Sequence, residues 1–594
     1  MTVGPPRLVR SVASGAAYGV ATVQRRLDLA LVIVVGLGVL LRVVLFLQVA
    51  RTPFSGDEVA YADGGRAFSN LLRDLASLHA PDTAELRRDV IGSGWFMPGM
   101  SLLLTPLYLL VPHADVGLAR GWLGLLVLLA HVLAVADVRR VLGRWWALGL
   151  ALVPGLVPMW LLLGFTAYGD LLAGLVATVL ITRLVAVLQR AGRGVAPTRR
   201  DGALLGLLAI VTVYLRGSSM PLVAGIGVVG LLAVRWCGRR AIASILVAGA
   251  IFLGVLAPWS IAASATFHTR VLTTTSVPMA LANTFGDRDE VCYGPCDPGS
   301  TIWFSPVRYA REVARATGVS EVTVLSQMSD YARQDVTPHS YARDVIANWH
   351  RYRDDPSAFL FKLHPPGQHW AEWIRTWTDR FFTRVLWLAA LGLLVVTRRS
   401  RRLQLLSVLV KIGLLALLLQ PFVHLAGSRY WTTAAPLAGL SAMLGVAVVG
   451  GWVVDRLRAA RSPGSGAEGE GAEGTPHAPR GGLRPARRVP ISPSEPPPSA
   501  PLPGARAAAP SGVGLEGTPL APRGGPSSTA QRPARRVPIS PSAPRPFVGA
   551  ARALGFVGAS GSLGGVGASR LLVVAQGGLA LVGVAAVVVI RVLA

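Results

Sequence analysis

Cysteine is scarce in this 594-residue chain, occurring at Cys237, Cys292 and Cys296 only. That excludes a disulfide-stapled scaffold and a four-thiolate zinc module. Lysine occurs only at Lys362 and Lys411, so the positive charge is carried by arginine. Charged residues of both signs make up only 15% of the chain, against 52% hydrophobic residues and a mean hydropathy of +0.50. Such a composition excludes an ordinary soluble protein of this length and predicts a polytopic, all-α membrane protein embedded in the lipid bilayer. A Gly-rich phosphate loop is also missing, and so is a cytoplasmic domain large enough to bind a nucleotide sugar. The net charge of +27 would suggest nucleic acid in a soluble protein, but here the arginines fall at the ends of apolar runs and in the tail. That is a pattern of membrane orientation, so no nucleic-acid partner is expected.

Arg7, Arg10, Arg25 and Arg26 precede the first apolar run, from Leu29 to Ala50. With no small-residue cleavage site, this run reads as a retained span whose N-terminal side, residues 1–28, is cytoplasmic. The run from Pro98 to Val111 is about 14 residues, short of the roughly 20 that a span requires, and is expected to be juxtamembrane or re-entrant. Spans are then expected near 117–137, 146–165, 168–188, 203–217, 219–235, 241–263, 381–397, 403–424 and 431–453. This gives a core of about ten spans over residues 29–455. The alternate turns carry Arg139, Arg140 and Arg144; then Arg190, Arg193, Arg199 and Arg200; then Arg235, Arg239 and Arg240; then Arg398, Arg399, Arg401 and Arg402. Several loops thus agree on one orientation, with the plasma membrane as the expected location.

On the outer side this leaves the segment 51–116, the long loop 264–380 and the turns near Asp170, Arg216 and Arg429. Phe68, Leu71, Leu72 and Leu75 recur at helical spacing after Asp57, predicting an amphipathic helix on the membrane surface. The long loop predicts a small helical lid, with pieces at Ser305–Ala316 and Ser340–Arg353, the latter capped by its serine. Cys292 and Cys296 lie in this loop, where they can form a disulfide or remain two thiols. From 456 to 570 the composition shifts to Pro, Gly, Ala, Ser and Arg, which cannot bury a core and reads as a disordered cytoplasmic tail. The tail repeats itself: Arg484–Ser494 returns unchanged as Arg532–Ser542. A last apolar run, Leu571–Ile590, is long enough to cross, so 571–594 is expected to form an additional C-terminal span.

The chemistry-bearing residues gather outside. Asp57 and Glu58 are adjacent acids at the exit of the first span; Asp170 is a third acid, and Arg120, Arg216 and Arg429 lie at the outer ends of apolar runs. An arginine at that depth needs an anionic partner, and its planar fork suits a carboxylate or a phosphate. A carboxylate base with arginines at a departing phosphate is sufficient apparatus for moving a sugar off a lipid phosphate. The structural alternatives stand beside this reading. Ser55 or Asp57 would only cap a helix, Arg120 and Arg216 would pair with Asp115 or Asp170, and Lys362, His364 and His369 would anchor at the interface.

At these positions the chain resembles the GT-C membrane glycosyltransferases, and among them glycosyltransferase family 39 with its protein O-mannosyltransferase and lipid A aminoarabinose transferase relatives. The resemblance covers roughly residues 29–455. Asp57-Glu58-Val59-Ala60-Tyr61 resembles the family's acidic motif, and Phe96-Met97-Pro98-Gly99-Met100 resembles its Pro-Pro-Gly-Tyr-Pro, lacking one Pro and the Tyr. Ala119-Arg120, Tyr168-Gly169-Asp170, Tyr214-Leu215-Arg216, Ala257-Pro258-Trp259-Ser260 and Arg429-Tyr430 follow in the family's order. The resemblance implies a GT-C bundle and transfer of a sugar from a polyprenyl-phosphate donor to an extracytoplasmic acceptor, which could be protein, lipid or cell-wall glycan. It implies Asp57 as catalytic base, with the adjacent Glu58 as the second candidate catalytic carboxylate, and Arg120, Asp170, Arg216, Arg429 and Tyr430 as substrate contacts. Lys362, in the basic aromatic stretch before the eighth span, is a further candidate for the lipid phosphate, beside its alternative as an interfacial anchor. Its monophosphate-donor branch implies that a metal is dispensable, whereas acids such as Asp57 and Asp170 would permit Mg2+ or Mn2+; both alternatives stand. The rival class is a polytopic transporter or lipid flippase, against which the absence of two repeating halves counts.

Overall fold

The computed structural model describes residues 7–282, 305–334, 336–353, 369–422, 428–461 and 565–593. All regular structure among them is helical. The described residues up to 456 and from 565 onward belong to one compact unit; of the second, 457–554, the described residues are the last turn of one long helix. The expected disulfide of Cys292 with Cys296 and the site residue Lys362 lie outside the described residues, as does the part 462–564 of the tail expected over 456–570, whose two ends, 456–461 and 565–570, are helical.

In chain order the helices are α1 (Arg7–Val49), α2 (Asp57–Ala76), α3 (Gly99–Leu110), α4 (Val116–Val141), α5 (Arg144–Leu152), α6 (Pro158–Leu162), α7 (Asp170–Ala191) and α8 (Arg199–Leu215). There follow α9 (Met220–Gly230), α10 (Leu232–Cys237), α11 (Ile242–Phe267), α12 (Ser276–Ala282), α13 (Ser305–Thr317), α14 (Glu321–Ala332) and α15 (Pro338–Arg353). The last are α16 (His369–Leu394), α17 (Arg401–Leu418), α18 (Trp431–Arg461) and α19 (Gly565–Leu593). Six stretches among the described residues are long and apolar enough to cross a bilayer: 24–49, 116–141, 170–191, 217–267, 431–457 and 569–586. This is a helical, multi-pass membrane protein.

Several expected spans take other forms. The run 146–165 is divided into α5 and α6, because the Val153-Pro154 step interrupts the helical ladder. Helix α8 stops after 17 residues, α16 carries Asp379, Arg380 and Arg384 through its middle, and α17 carries Arg401, Arg402 and Lys411. Helix α3, 12 residues long, would extend about 18 Å, too short to cross, as expected. The amphipathic helix after Asp57 forms as α2, but it lies against α3 as well as presenting a surface. Gly64 makes that approach possible: a Cβ there would come within 2.5 Å of the Ser101 hydroxyl.

Helix α7 is the centre of the bundle, with 78% of its apolar window buried, whereas α1 at 22% is peripheral. The arginine-rich turns meet at one end. Asp28 pairs with Arg139 and Arg144, Arg190 with Asp201, and Arg399 with Asp455, while Arg401 donates to the Gly192 carbonyl and Arg402 to that of Leu142. Beyond the opposite end, α13 and α14 form a small separate core of Ala310, Val324, Leu325 and Met328 against Trp95. The helical lid thus has its predicted pieces. The cap of α15, however, is Thr337, whose hydroxyl accepts from the Ser340 amide at 3.1 Å while Ser340 Oγ accepts from the Thr337 amide at 3.0 Å. Ser340 is the reciprocal partner three residues in, because Pro338 takes the first helical position.

Candidate functional site

The polar residues picked out by sequence sit where elements begin or end. Asp57 opens α2, Asp170 opens α7, Arg216 follows α8 and Arg429 precedes α18. A helix boundary is where the chain leaves its internal hydrogen-bond ladder, so charged side chains there can meet without disrupting a span. Gly169 makes the turn into α7: its φ is +73°, and a Cβ would come within 2.6 Å of the Leu215 carbonyl, the residue before Arg216. The close contact of those two backbones brings Asp170 to Arg216.

Four of these side chains form one continuous ionic chain. Arg216 Nη1 lies 2.9 Å from Asp170 Oδ1. Arg429 Nε lies 3.3 Å from Asp170 Oδ2, and its Nη1 donates to Asp57 Oδ2 at 3.1 Å. Tyrosines provide the walls, with Arg216 over the Tyr430 ring at 4.1 Å and Arg429 over the Tyr168 ring at 4.3 Å. Asp170 is 1% exposed, Arg216 11% and Arg429 13%, but Asp57 is 35% exposed and is the member open to an incoming group. Burial opposes the charge on Arg429, and the Asp170 and Asp57 carboxylates more than reverse that, holding it firmly protonated. Burial first and the Asp57 charge second push the Tyr61 hydroxyl up, and burial and Glu58 do the same to Tyr168, so both phenols stay neutral.

Glu58 and Arg120 do not join this chain. Adjacent helical residues diverge by about 100°, so Glu58 points inward where Asp57 points out. Its carboxylate takes a two-pronged contact from Arg120, at 3.1 and 3.3 Å, with both side chains essentially fully buried. Arg120 also donates to the carbonyls of Thr52, Pro53 and Phe165, and the amides of Ser55 and Ala167 point at Glu58. Every direction of that guanidinium fork is occupied, which leaves it no place for a phosphate. The expected roles of Arg120 as a substrate contact and Glu58 as a second catalytic carboxylate therefore give way to a clamp that ties α2 to α4 and the turn before α7. Nor does Arg120 pair with Asp115, which caps α4 by accepting from the Leu118 amide at 2.7 Å.

Thr433 and Tyr168 belong to the centre and were not singled out as site residues. The Thr433 hydroxyl donates to Asp170 Oδ1 at 3.2 Å. Its position four residues after Arg429, one helical turn, was the available signal. Ala257-Pro258-Trp259-Ser260 serves elsewhere, Trp259 and Ser260 donating to the Thr273 and Leu272 carbonyls and pinning the following strand of loop to α11. Among the described residues no group of three or more His, Cys, Asp or Glu side chains converges. Asp57 and Asp170 share Arg429 between them, a cation where a divalent ion would need to sit, so these residues do not fit Mg2+ or Mn2+. At the same end of the bundle a groove of about 610 Å3 opens between α1 and α4, lined by Phe46, Val111, His113, Asp115, Leu118 and Gly121 among others. No family model, curated protein or solved structure matches this chain.

Proposed function

We propose that this chain is an integral membrane glycosyltransferase with a GT-C-like bundle, moving a sugar from a polyprenyl-phosphate donor to a hydroxyl acceptor outside the cytoplasm. The observation that carries the reading is the convergence of Asp57, Asp170, Arg216 and Arg429, separated by hundreds of residues, at the end of the bundle opposite the arginine-rich turns. The positive-inside rule puts that end outside.

In this reading the donor phosphate is received by Arg429 and Arg216, the two guanidinium groups with residual exposure. Asp170 holds both from behind, with Thr433 on its Oδ1, and keeps their forks oriented. As the phosphate arrives, Arg429 exchanges its contact with Asp57 for the new anion. The freed Asp57 carboxylate takes the proton from the acceptor hydroxyl, whose oxygen attacks the anomeric carbon from the face opposite the phosphate. The bond between that carbon and the phosphate oxygen breaks, the electron pair leaves with the polyprenyl phosphate, and the anomeric centre inverts. Charge developing on the leaving oxygen faces Arg216 and Arg429. The apolar groove beside α4 supports a lipid-linked donor. No step requires a metal.

A transporter or flippase is the second reading, favoured by the same buried Arg and Asp groups. Asp57→Asn separates the two when surface glycoconjugates are compared by mass spectrometry with and without the functional gene. A missing sugar in both the deletion and the Asp57→Asn strain, at normal protein level, is the expected result. An unchanged glycan profile in the variant rejects Asp57 as base.

A further inference from the structure

The tail returns to the bundle. Helix α19, beyond a 103-residue stretch, lies along α17, and beside the apolar packing of Leu572, Ala575 and Leu579 it makes buried polar contacts where a membrane helix is expected to be apolar. Gln404 Nε2 donates to Ser569 Oγ at 3.0 Å, and Lys411 Nζ donates to the Gln576 carbonyl at 3.3 Å. Both pairs are separated by the same 165 residues, and each helix advances seven residues between them. A constant offset means parallel helices in one register, with polar contacts at the heptad spacing that fixes register in coiled coils.

The second contact is a peptide-like pairing. After α16 ends at Leu394 the chain leaves regular structure until α17, so the Thr397 amide and carbonyl have no helical ladder. Gln576 satisfies both, accepting from the Thr397 amide at 3.1 Å and donating to its carbonyl at 3.2 Å. Gln576, Lys411, Gln404 and Thr397 are all 2% exposed or less. Only 17% of the apolar window of α19 is buried, so apolar packing is too narrow to choose a seat and the polar side chains do so.

The register also fixes direction. The start of α19 lies beside Gln404 at the arginine-rich end, where Arg399 pairs with Asp455 of α18. With the 165-residue offset Leu418, the end of α17, is level with Gly583, and α19 continues to Leu593, about 15 Å further. There α19 packs against α15, and α15 packs against the Ser428–Tyr430 turn, with Tyr341 donating to the Phe422 carbonyl at 2.7 Å.

We propose that α19 is the dedicated occupant of the α16–α17 groove, selected by Gln576, and that once seated it holds α15 against the turn bearing Arg429 and Tyr430. The end of the tail thereby governs the polar centre at the far end of the bundle. This rests on the packing and not on the transfer reaction.

The test uses the full chain in detergent, with an N-terminal affinity tag and a protease site inserted within 462–564. After cleavage the α19 fragment should stay on the captured bundle, and Gln576→Leu should lower its retention by about tenfold, as one or two interhelical hydrogen bonds predict. In the uncut Gln576→Leu protein, amide hydrogen exchange over 338–353 should accelerate by about the same factor. Adding Gln404→Cys with Ser569→Cys should restore retention under oxidising conditions and return the exchange to its original rate. Equal retention with Gln576→Leu overturns the polar selection, and release with unchanged exchange over 338–353 overturns the link to α15. If the Leu variant fails to accumulate, the cysteine pair in the otherwise native chain decides, since failure to form the disulfide contradicts the parallel register.

Discussion

Asp57 and Glu58 are neighbours of the same chemistry, and the structure predicts opposite phenotypes for them. Glu58→Gln keeps the shape of the side chain and removes its charge, leaving Arg120 as a buried guanidinium without a carboxylate. Breaking a buried pair from one side costs about 3–5 kcal/mol, a large part of the roughly 5–15 kcal/mol that holds a typical domain together. The three carbonyls that Arg120 reaches keep it satisfied as a donor but cannot neutralise it. Asp57→Asn is different: Asp57 is 35% exposed, and Arg429 retains Asp170 at 3.3 Å, so the change costs at most about 1 kcal/mol. Thermal unfolding of the purified proteins in one detergent, followed by size-exclusion fluorescence, measures this. Glu58→Gln should melt several degrees below the native chain or fail to accumulate, and Asp57→Asn should melt with it while losing the surface sugar. A Glu58→Gln protein that melts within about two degrees of the native chain refutes the clamp, because a loss of 3–5 kcal/mol cannot be hidden in that interval.

Arg429→Lys keeps the charge but cannot reach Asp57 and Asp170 with separate prongs of one fork, and should lower transfer at least about tenfold at normal protein level, read from the same glycan spectra. Gly64→Val should force α2 from α3, since even a Cβ meets Ser101 Oγ at 2.5 Å and the Asp89 carbonyl at 3.0 Å; about 1–3 kcal/mol is lost, visible as a lower melting temperature. Glu321 supplies a pH test: burial raises its pKa above the ordinary 4.5, against the opposing pull of Arg311. A raised carboxyl favours the folded state when protonated, so its stabilisation is complete below 4.5 and is lost as pH rises through the higher folded value. Proteolysis at α13 and α14 should slow as pH falls through that window, and Glu321→Gln should flatten the dependence.

How much of the site could be read from the chain varies residue by residue. Asp57, Asp170, Arg216 and Arg429 were legible because charge at the edge of an apolar run is costly, and the cost announces itself in one dimension. Which acid takes which arginine was not legible. Asp170 pairing with Arg216 was one of the alternatives open to the sequence, whereas Glu58 with Arg120 follows from the 100° step between neighbours and the path of the turn before α7. Thr433 looks like any threonine near the start of an apolar helix until Asp170 is placed beside it.

The sequence by itself determined that the chain is a helical membrane protein, that its arginine-rich turns share one end and that Pro98 to Val111 is too short to cross. These follow from hydropathy, charge and length, which act locally along the chain. Only the tertiary structure decided that Arg120 is enclosed and that the C-terminal helix is seated on Gln576. Each depends on a partner dozens to hundreds of residues away. A hydrogen bond or ion pair of about 3 Å is a fact about neighbours in space.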